Sequence, residues 1–244
     1  MDFENSIWRY YHDSSQDKSK GHIPIPLDDK LWPESWKHIS YKTYDRLPTV
    51  DLPDPNPIDE SLSATLRNRV SSRDFDCSPI ALSKLSDMLH ASCSVKEGTQ
   101  YRQYPSGGAR YPVEVYVINL QNTEEFNEGV YHYDFKKHAL NSLWSRTFDK
   151  KDLDDMFGYA WAKRASVVIV MTGVFNRTIE KYGERGYRFV LIEAGHIGQN
   201  ISLSASGLGV KCCALGGVNE RYFETLIDVD SQQESVIYSL VLGS

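Results

Sequence analysis

The sequence has few residues of the kinds that hold metal ions or disulfide frameworks. Its four cysteines show no C-x-x-C spacing, and the adjacent pair Cys212-Cys213 cannot bridge to itself without strain. The seven histidines are scattered, and no H-E-x-x-H pattern occurs. We therefore expect reduced thiols and no metal site.

An excess of positive charge and a long hydrophobic run are also absent. Lys and Arg number 27 against 33 Asp and Glu, a net charge of -6, so nucleic acid is not expected as a partner. The longest apolar run, from Ala165 to Phe175, is shorter than the roughly 20 residues that cross a bilayer. The first residues are acidic, which predicts no signal peptide, no membrane association and a cytoplasmic protein.

The composition favours one compact body with a distinct N-terminal segment. A chain of 244 residues with 41% hydrophobic residues can bury a full core, which we place in residues 58–244. Residues 1–57 are rich in proline and lack periodicity, so we expect extended structure there. Their aromatic surface is too large to leave in water, so the segment should wrap over the body or a partner subunit. These aromatic residues are Trp8, Tyr10, Tyr11, Trp32, Trp36, Tyr41 and Tyr44.

Helical and strand periodicities alternate through residues 58–244. Apolar residues at four-residue spacing, Ile58, Leu62, Leu66 and Val70, predict a first helix with one apolar face. A second helix is predicted from Ser83, its N-cap, to Ser92, with Leu85, Met88 and Leu89 turned inward. Further helices are predicted over 149–157, 177–206 and 220–227, and strands over 113–120, 130–134, 138–143, 166–174, 210–215 and 236–242.

Two loops carry residues suited to binding an anion. Arg69, Ser71 and Arg73 follow the first helix in a turn that suits a phosphate or a flavin ring edge, with a solvated basic helix end as the alternative. In the loop 98–112, Pro105-Ser106-Gly107-Gly108 is followed by Arg110, so that backbone N–H groups and a guanidinium could meet a ligand. A plain connecting loop is the alternative there. Neither a Walker motif nor a strand-linked G-x-G-x-x-G occurs.

Two further positions could carry chemistry. Lys181 and Tyr182 lie in a segment, 180–188, that holds seven ionisable side chains near the start of the predicted long helix. A lysine in a desolvated pocket can have its pKa lowered enough to act as a general base, whereas an exposed first turn is the alternative. Gly216 and Gly217 follow a predicted strand and could place amides against a cofactor or simply form a tight turn.

The order of these segments resembles the SagB-type branch of the nitroreductase family. The series is R-x-S-x-R, then PSGGARYPVEVYV, then KYGERGYRFVLIEAGHIGQN, then a Gly-Gly pair. The leader residues Tyr11-His12 and the stretch from Lys42 to Pro53 also match that branch, so the resemblance covers about Tyr10 to Gly243. It implies an α+β fold with a central mixed or antiparallel sheet flanked by helices, and a homodimer built around a long central helix.

The resemblance also implies a cofactor and roles for matching residues. Arg69, Ser71 and Arg73 match residues that hold FMN, residues 105–108 with Arg110 match the loop packed on the flavin, and Gly216-Gly217 match a turn over it. Lys181 and Tyr182 match the pair thought to serve dehydrogenation. Many relatives have a C-terminal extension that embraces the neighbouring subunit. The chain ends soon after its last predicted strand, so the source of the second phosphate contact is left open, with Lys211 and Arg221 as candidates by position.

The implied function is oxidation of thiazolines and oxazolines in a precursor peptide to thiazoles and oxazoles. Such enzymes commonly work beside a cyclodehydratase, which is therefore an expected partner. An NAD(P)H-dependent nitro, quinone or enone reductase on the same fold is one alternative, and a flavin-free scaffold in a peptide-modifying complex is another. The sequence leaves the peptide, the ring type, the electron acceptor and a ribosomal or synthetase-bound carrier undecided.

Overall fold

The computed structural model describes residues 7–16, 26 and 28–244, apart from the side chains of residues 8 and 9. The side chain of Trp8, which we expect to pack on the body, therefore lies outside the described residues. The helices are α1 (Ile7–Ser14), α2 (Glu34–Lys37), α3 (Leu62–Asn68), α4 (Leu82–Cys93), α5 (Lys150–Met156), α6 (Asn176–Tyr182), α7 (Arg185–Gly207) and α8 (Glu220–Leu226). The strands are β1 (Thr49–Asp51), β2 (Val113–Asn119), β3 (Gly129–Asp134), β4 (Ala139–Ser145), β5 (Val167–Val174), β6 (Lys211–Leu215) and β7 (Glu234–Gly243).

One seven-stranded sheet organises the molecule. Its order is β1-β4-β3-β2-β5-β7-β6, and each neighbouring pair is antiparallel. Strand β5 is central, with Val113 of β2 opposite Gly173 and Leu242 of β7 opposite Val167. The sheet with its flanking helices confirms the predicted α+β class. Of the two predicted sheet types, mixed and antiparallel, the sheet is the antiparallel one.

Helices cover both faces of the sheet, which explains why β2 is buried along its whole length. Alternate residues of a strand point to opposite faces, so Val115 joins the core beneath α4 and α7, whereas Tyr116 joins the core beneath α5 and α8. The predicted inward side chains of the second helix, Leu85, Met88 and Leu89, are each at most 1% exposed. The strand predictions for β2 to β7 are confirmed within a few residues.

The predicted long helix 177–206 is wrong in one respect, because it is two helices. Gly183, with φ of +56°, ends α6, and α7 begins at Arg185. The left-handed conformation at Gly183 turns the chain, and α6 packs against the start of α7. Within the described ranges, neither the 23-residue α7 nor any other helix is long and apolar enough to cross a membrane.

The two predicted helices before β2 also differ in detail. Helix α3 begins only at Leu62, because the Ser61 hydroxyl accepts a hydrogen bond from the N–H of Ala64 and caps it. Ala81, rather than the predicted Ser83, is the N-cap of α4, and no side chain caps it. The apolar face predicted for the first helix is exposed in the single chain, with Leu62 at 68% and Leu66 at 54%.

The described part of the N-terminal segment is less extended than expected, since it contains α1, α2 and a 3-10 turn over Asp29–Leu31. It crosses the body of its own chain. Arg188 of α7 donates hydrogen bonds to the Ser15 hydroxyl and the His12 carbonyl, each at 2.7 Å. Farther along, Lys42 pairs with Glu234 at 2.7 Å, and β1 adds to the sheet beside β4. Contact with a partner subunit stays a prediction.

Candidate active site

Lys181 lies at the end of α6 in a pocket that removes its ammonium group from water. Its side chain is buried, and its Nζ forms no hydrogen bond within the described part of the chain. The Nζ lies 3.3 Å from the centre of the Trp32 ring and 5.3 Å from that of Trp36, so two indoles of the N-terminal segment cover it. Burial, helped by the positive charge of Arg110, lowers the pKa of Lys181.

The loop after Pro105 reaches this lysine through a glycine. Gly108 is exposed and has φ of +60°, and a Cβ at this position would collide with the Tyr182 hydroxyl and meet Lys181 Nζ at 3.0 Å. Any other residue would thus displace Tyr182 or Lys181, so glycine allows the loop to lie against this pair. Ala109 and Tyr111 also have positive φ, which is costly for residues with a side chain and is typical of functional loops. The structure therefore brings the Pro105–Gly108 loop and the Lys181–Tyr182 pair together.

Tyr182 and Lys181 are suited to different roles. Burial raises the pKa of Tyr182, so at neutral pH its phenol keeps the proton and can donate a hydrogen bond. The ring is held edge-on against Phe189 of α7, with centroids 5.0 Å apart. Because the pKa of Lys181 is lowered and that of Tyr182 is raised, the lysine is the better general base of the two.

Arg110 is occupied within its own chain. It is 4% exposed, its Nε donates to the carbonyl of Arg177 at 2.7 Å, and its Nη1 donates to that of His38 at 3.3 Å. These bonds tie the loop to the start of α6 and to the N-terminal segment. The contacts thus show a structural anchor, and contact between Arg110 and a flavin stays a prediction.

Arg69, Ser71 and Arg73 lie at the opposite end of the sheet. The Ser72 N–H donates to the Cys212 carbonyl of β6. Cys212 is opposite Leu242 of β7, which in turn is opposite Val167 at the start of β5. Lys181 belongs to α6, which follows the other end of β5, after Gly173 and Val174. Val167 and Gly173 are six residues apart along β5, which corresponds to about 20 Å at the usual rise of a strand. Within one chain, Arg69, Ser71 and Arg73 therefore do not meet Lys181.

Two aromatic rings, Trp161 and Tyr159, connect Arg73 to Gly217. The Arg73 guanidinium lies 5.7 Å from the centre of the Trp161 ring, and Trp161 stacks on Tyr159 with centroids 5.5 Å apart. The Tyr159 ring packs on Gly217. Within the described ranges neither Arg69 nor Arg73 is paired with a carboxylate, so both guanidiniums are available to an anion. Lys211, a positional candidate for a phosphate contact, instead donates to the Asp74 carbonyl at 3.0 Å.

Sequence reasoning missed three side chains of this region. Trp32 and Trp36, noted only as aromatic surface, cover Lys181, and Glu193 lies near Ser106 of the loop. The four-residue spacing of the two tryptophans, which places them on one side of a helical turn, was an available signal. Glu193 of α7 is 2% exposed beneath the loop, and its carboxylate faces Ser106 without a hydrogen bond of ordinary geometry in the described part. Burial raises the pKa of Glu193 to about 7, although Ser106 and Arg102 oppose the shift.

Glu193 should make the stability of the protein fall with rising pH. The unfolded chain releases this proton near its ordinary pKa of 4.5, whereas the folded chain holds it to about 7. Between these values stability should fall by roughly 3 kcal/mol and then stay level above pH 7. Glu193→Gln should remove this decline. Urea unfolding of both proteins at pH 5 and pH 8 measures it, and an equal pH dependence in the variant would show that Glu193 does not titrate in this range.

Comparisons with known proteins agree with this architecture. Residues 66–244 match the model of the nitroreductase family. A candidate nitroreductase of Methanocaldococcus jannaschii is 30% identical over 189 residues, which are 74% of this chain and 89% of that protein. The microcin B17-processing protein McbC of Escherichia coli is 32% identical over 59% of this chain and 55% of its own length. The trifolitoxin-processing protein TfxB of Rhizobium leguminosarum is 30% identical over 57% of this chain and 38% of its own length.

Solved structures show the same fold. A candidate nitroreductase from Anabaena variabilis superposes with a TM-score of 0.72 and 25% identity, covering 97% of this chain and 46% of that one. A chain of the E. coli microcin synthetase McbBCD, solved with truncated pro-microcin B17 bound, gives a TM-score of 0.62 at 22% identity. The match covers 98% of this chain and 91% of that one. These structures show the fold, and the similarity to McbC and TfxB confirms the predicted resemblance to the peptide-processing branch of the family.

Proposed function

This chain belongs to the nitroreductase family, and on that premise we propose that it is an FMN-dependent dehydrogenase that oxidises azoline rings of a peptide to azoles. The observation that carries the proposal is the buried Lys181 ammonium, which has no hydrogen bond in the described part and faces the exposed glycine of a strained loop. A base held in this way suits removal of a carbon-bound proton. The similarity to McbC and TfxB, two peptide-processing proteins, supports a peptide as the substrate.

The residues present fit a flavin. Glycine at position 108 lets the loop backbone lie against Tyr182 and Lys181, where a Cβ would collide, and backbone N–H groups of this loop can approach a flat ring. Arg69 and Arg73 offer two guanidiniums without carboxylate partners in the described ranges, which suits a phosphate. We therefore assign Arg69, Ser71 and Arg73 to the phosphate and ring edge of FMN, residues 105–108 to its ring face, and Gly216-Gly217 to a turn over it.

The two groups of residues imply a dimer. Because about 20 Å of strand separates them in one chain, one flavin could meet both only if two chains each supply one group. Exposed apolar residues give surface for such an association: Leu62 and Leu66 lie on one face of α3, Val70 follows that helix, and Ile192 of α7 is 54% exposed. We propose a homodimer with two shared sites.

Lys181 and Tyr182 have separate roles in the proposed reaction. Aromatising an azoline removes a proton from the carbon beside the carbonyl and a hydride from the adjacent ring carbon. Bound FMN supplies the hydride acceptor. The neutral form of Lys181, which the lowered pKa favours, takes the proton at Nζ, and the Tyr182 hydroxyl orients the ring by donating a hydrogen bond. Trp32 and Trp36 exclude water from the lysine. The proposed partners are the azoline-bearing precursor peptide and a cyclodehydratase that forms the azoline.

A reduction experiment tests this function. The FMN-loaded protein should lose its yellow colour when it is mixed with a synthetic thiazoline dipeptide in the absence of oxygen. NADPH in place of the dipeptide should bleach the flavin more slowly. Thiazole should form in equal amount to the reduced flavin, as mass spectrometry would show. Bleaching by NADPH together with an unchanged thiazoline would make the protein a reductase, and failure to retain FMN at all would favour a scaffold.

A further inference from the structure

A groove leads from the Lys181 pocket to the surface between the N-terminal segment and residues 95–101. It consists of two adjoining cavities of about 170 Å³ and 570 Å³ that share Lys37, Ile39 and Gln100 in their linings. The outer cavity alone lies within the range of about 300 to 1,000 Å³ that is usual for ligand sites. The groove is thus large enough for more than a five-membered ring.

The inner end of this groove reaches the proposed reaction site. Trp32, Trp36 and Gly108 line the inner cavity, and the first two cover Lys181 Nζ at 3.3 Å and 5.3 Å. A substrate ring bound at this end would therefore have the rest of its chain directed along the groove. Aromatic walls suit a flat heterocycle at this end.

The outer end carries positive charge. Lys37 and Lys136 line the outer cavity, and the described residues that line it include no carboxylate. Lys136 is exposed, and its Nζ lies 4.3 Å from the centre of the Tyr41 ring, which limits its freedom. Lys37 pairs with Glu34 at 2.8 Å, but that carboxylate is 77% exposed, so the pair is weak and open to competition.

The walls of the groove are fixed before anything binds. The Lys96 N–H donates to the Tyr101 carbonyl at 2.7 Å, closing the turn over residues 96–101. The Tyr41 hydroxyl donates to the Gln100 carbonyl at 3.2 Å and joins the two walls. A preformed groove needs little ordering on binding, which favours affinity for an extended chain.

We propose that this groove binds the part of the substrate peptide that flanks the reacting ring, with acidic side chains of the peptide held by Lys37 and Lys136. The identity of the ring rests on the proposed function, whereas the affinity of the groove for an acidic peptide does not. We expect this chain to prefer substrates with acidic residues beside the reacting ring.

Binding of ring-free peptides tests the groove separately from the chemistry. Two fluorescent peptides, one with Asp and Glu and one with Asn and Gln in their place, would be titrated with the FMN-loaded protein by anisotropy. The acidic peptide should bind about ten-fold more tightly, as two partly exposed ion pairs allow. Lys37→Glu/Lys136→Glu should abolish that difference. Lys150→Glu/Lys151→Glu on α5, with the same change in net charge, should preserve it.

A kinetic comparison completes the test. The groove variant should raise KM for a thiazoline peptide with an acidic flank about ten-fold, while kcat/KM for the flank-free thiazoline dipeptide stays unchanged. Equal binding of both peptides to the unaltered protein, or loss of the difference in the α5 variant too, would overturn the groove proposal. Selective binding without oxidation of any azoline would uphold the groove and contradict the proposed function instead.

Discussion

Lys181→Met should leave FMN bound and lower azoline turnover by a factor of about 10² to 10⁴, the usual contribution of a general base. Methionine keeps an unbranched stem against Trp32 and removes only the ammonium group that lies 3.3 Å from the ring centre. The fold should tolerate the change, because a buried cation without a hydrogen bond is replaced by an apolar group. Flavin content, melting temperature and single-turnover thiazole formation would be measured on the same preparation.

Two controls separate a base from a merely structural lysine. A small primary amine added to Lys181→Ala should restore part of the lost rate, since it can occupy the vacated space and accept the proton. Tyr182→Phe should retain more activity than Lys181→Met, because the phenol is assigned to orientation. If Lys181→Met matched the unaltered protein in single turnover, or if Tyr182→Phe were the more damaging change, the lysine would not be the base.

The pH profile follows from the same assignment. The active form of Lys181 is the neutral amine, and burial lowers its pKa from the ordinary 10.5. Single-turnover rates should therefore rise with pH and level off below pH 10.5. This rising limb should vanish in Lys181→Met, so that the residual rate no longer follows the titration of the lysine.

Local patterns are sufficient to predict most of the sheet. Apolar runs bounded by turn residues place β2 and β5 to within about one residue of their observed ends. Helix α4 is also predictable, since Leu85, Met88 and Leu89 recur at helical spacing and are buried. Composition singles out the loop and the Lys181–Tyr182 pair separately, and the structure brings them together at Gly108.

Other features depend on contacts that sequence spacing does not contain. The break at Gly183 is invisible to periodicity, because apolar residues continue on both sides of it. Trp32 covers Lys181 across almost 150 residues of chain, so only the folded body reveals the contact. The motif predicts that Arg110 contacts a ligand. In the structure its guanidinium donates to the carbonyls of Arg177 and His38, which are too far along the chain for local spacing to identify. Periodicity reveals the apolar face of α3, whereas its exposure in a single chain is visible only in the structure.

A mixed dimer should recover activity from two inactive chains. Arg69→Ala/Arg73→Ala chains should lose FMN because both guanidiniums assigned to it are gone, and Lys181→Ala chains should keep FMN without turnover. Co-expressed with different affinity tags and purified through both, the two chains form a dimer in which one shared site has its arginines and its lysine intact. Such a dimer should show about half the turnover of the unaltered dimer.

A reciprocal mixture gives the control. When an unaltered chain pairs with a chain carrying all three substitutions, each shared site lacks one group, so this dimer should be inactive. If the sites instead lay within single chains, the outcomes would be reversed. The turnover of the two doubly tagged dimers is thus the most direct measurement: about half activity in the first and none in the second is expected, whereas none in the first and half in the second would contradict a flavin shared between two chains.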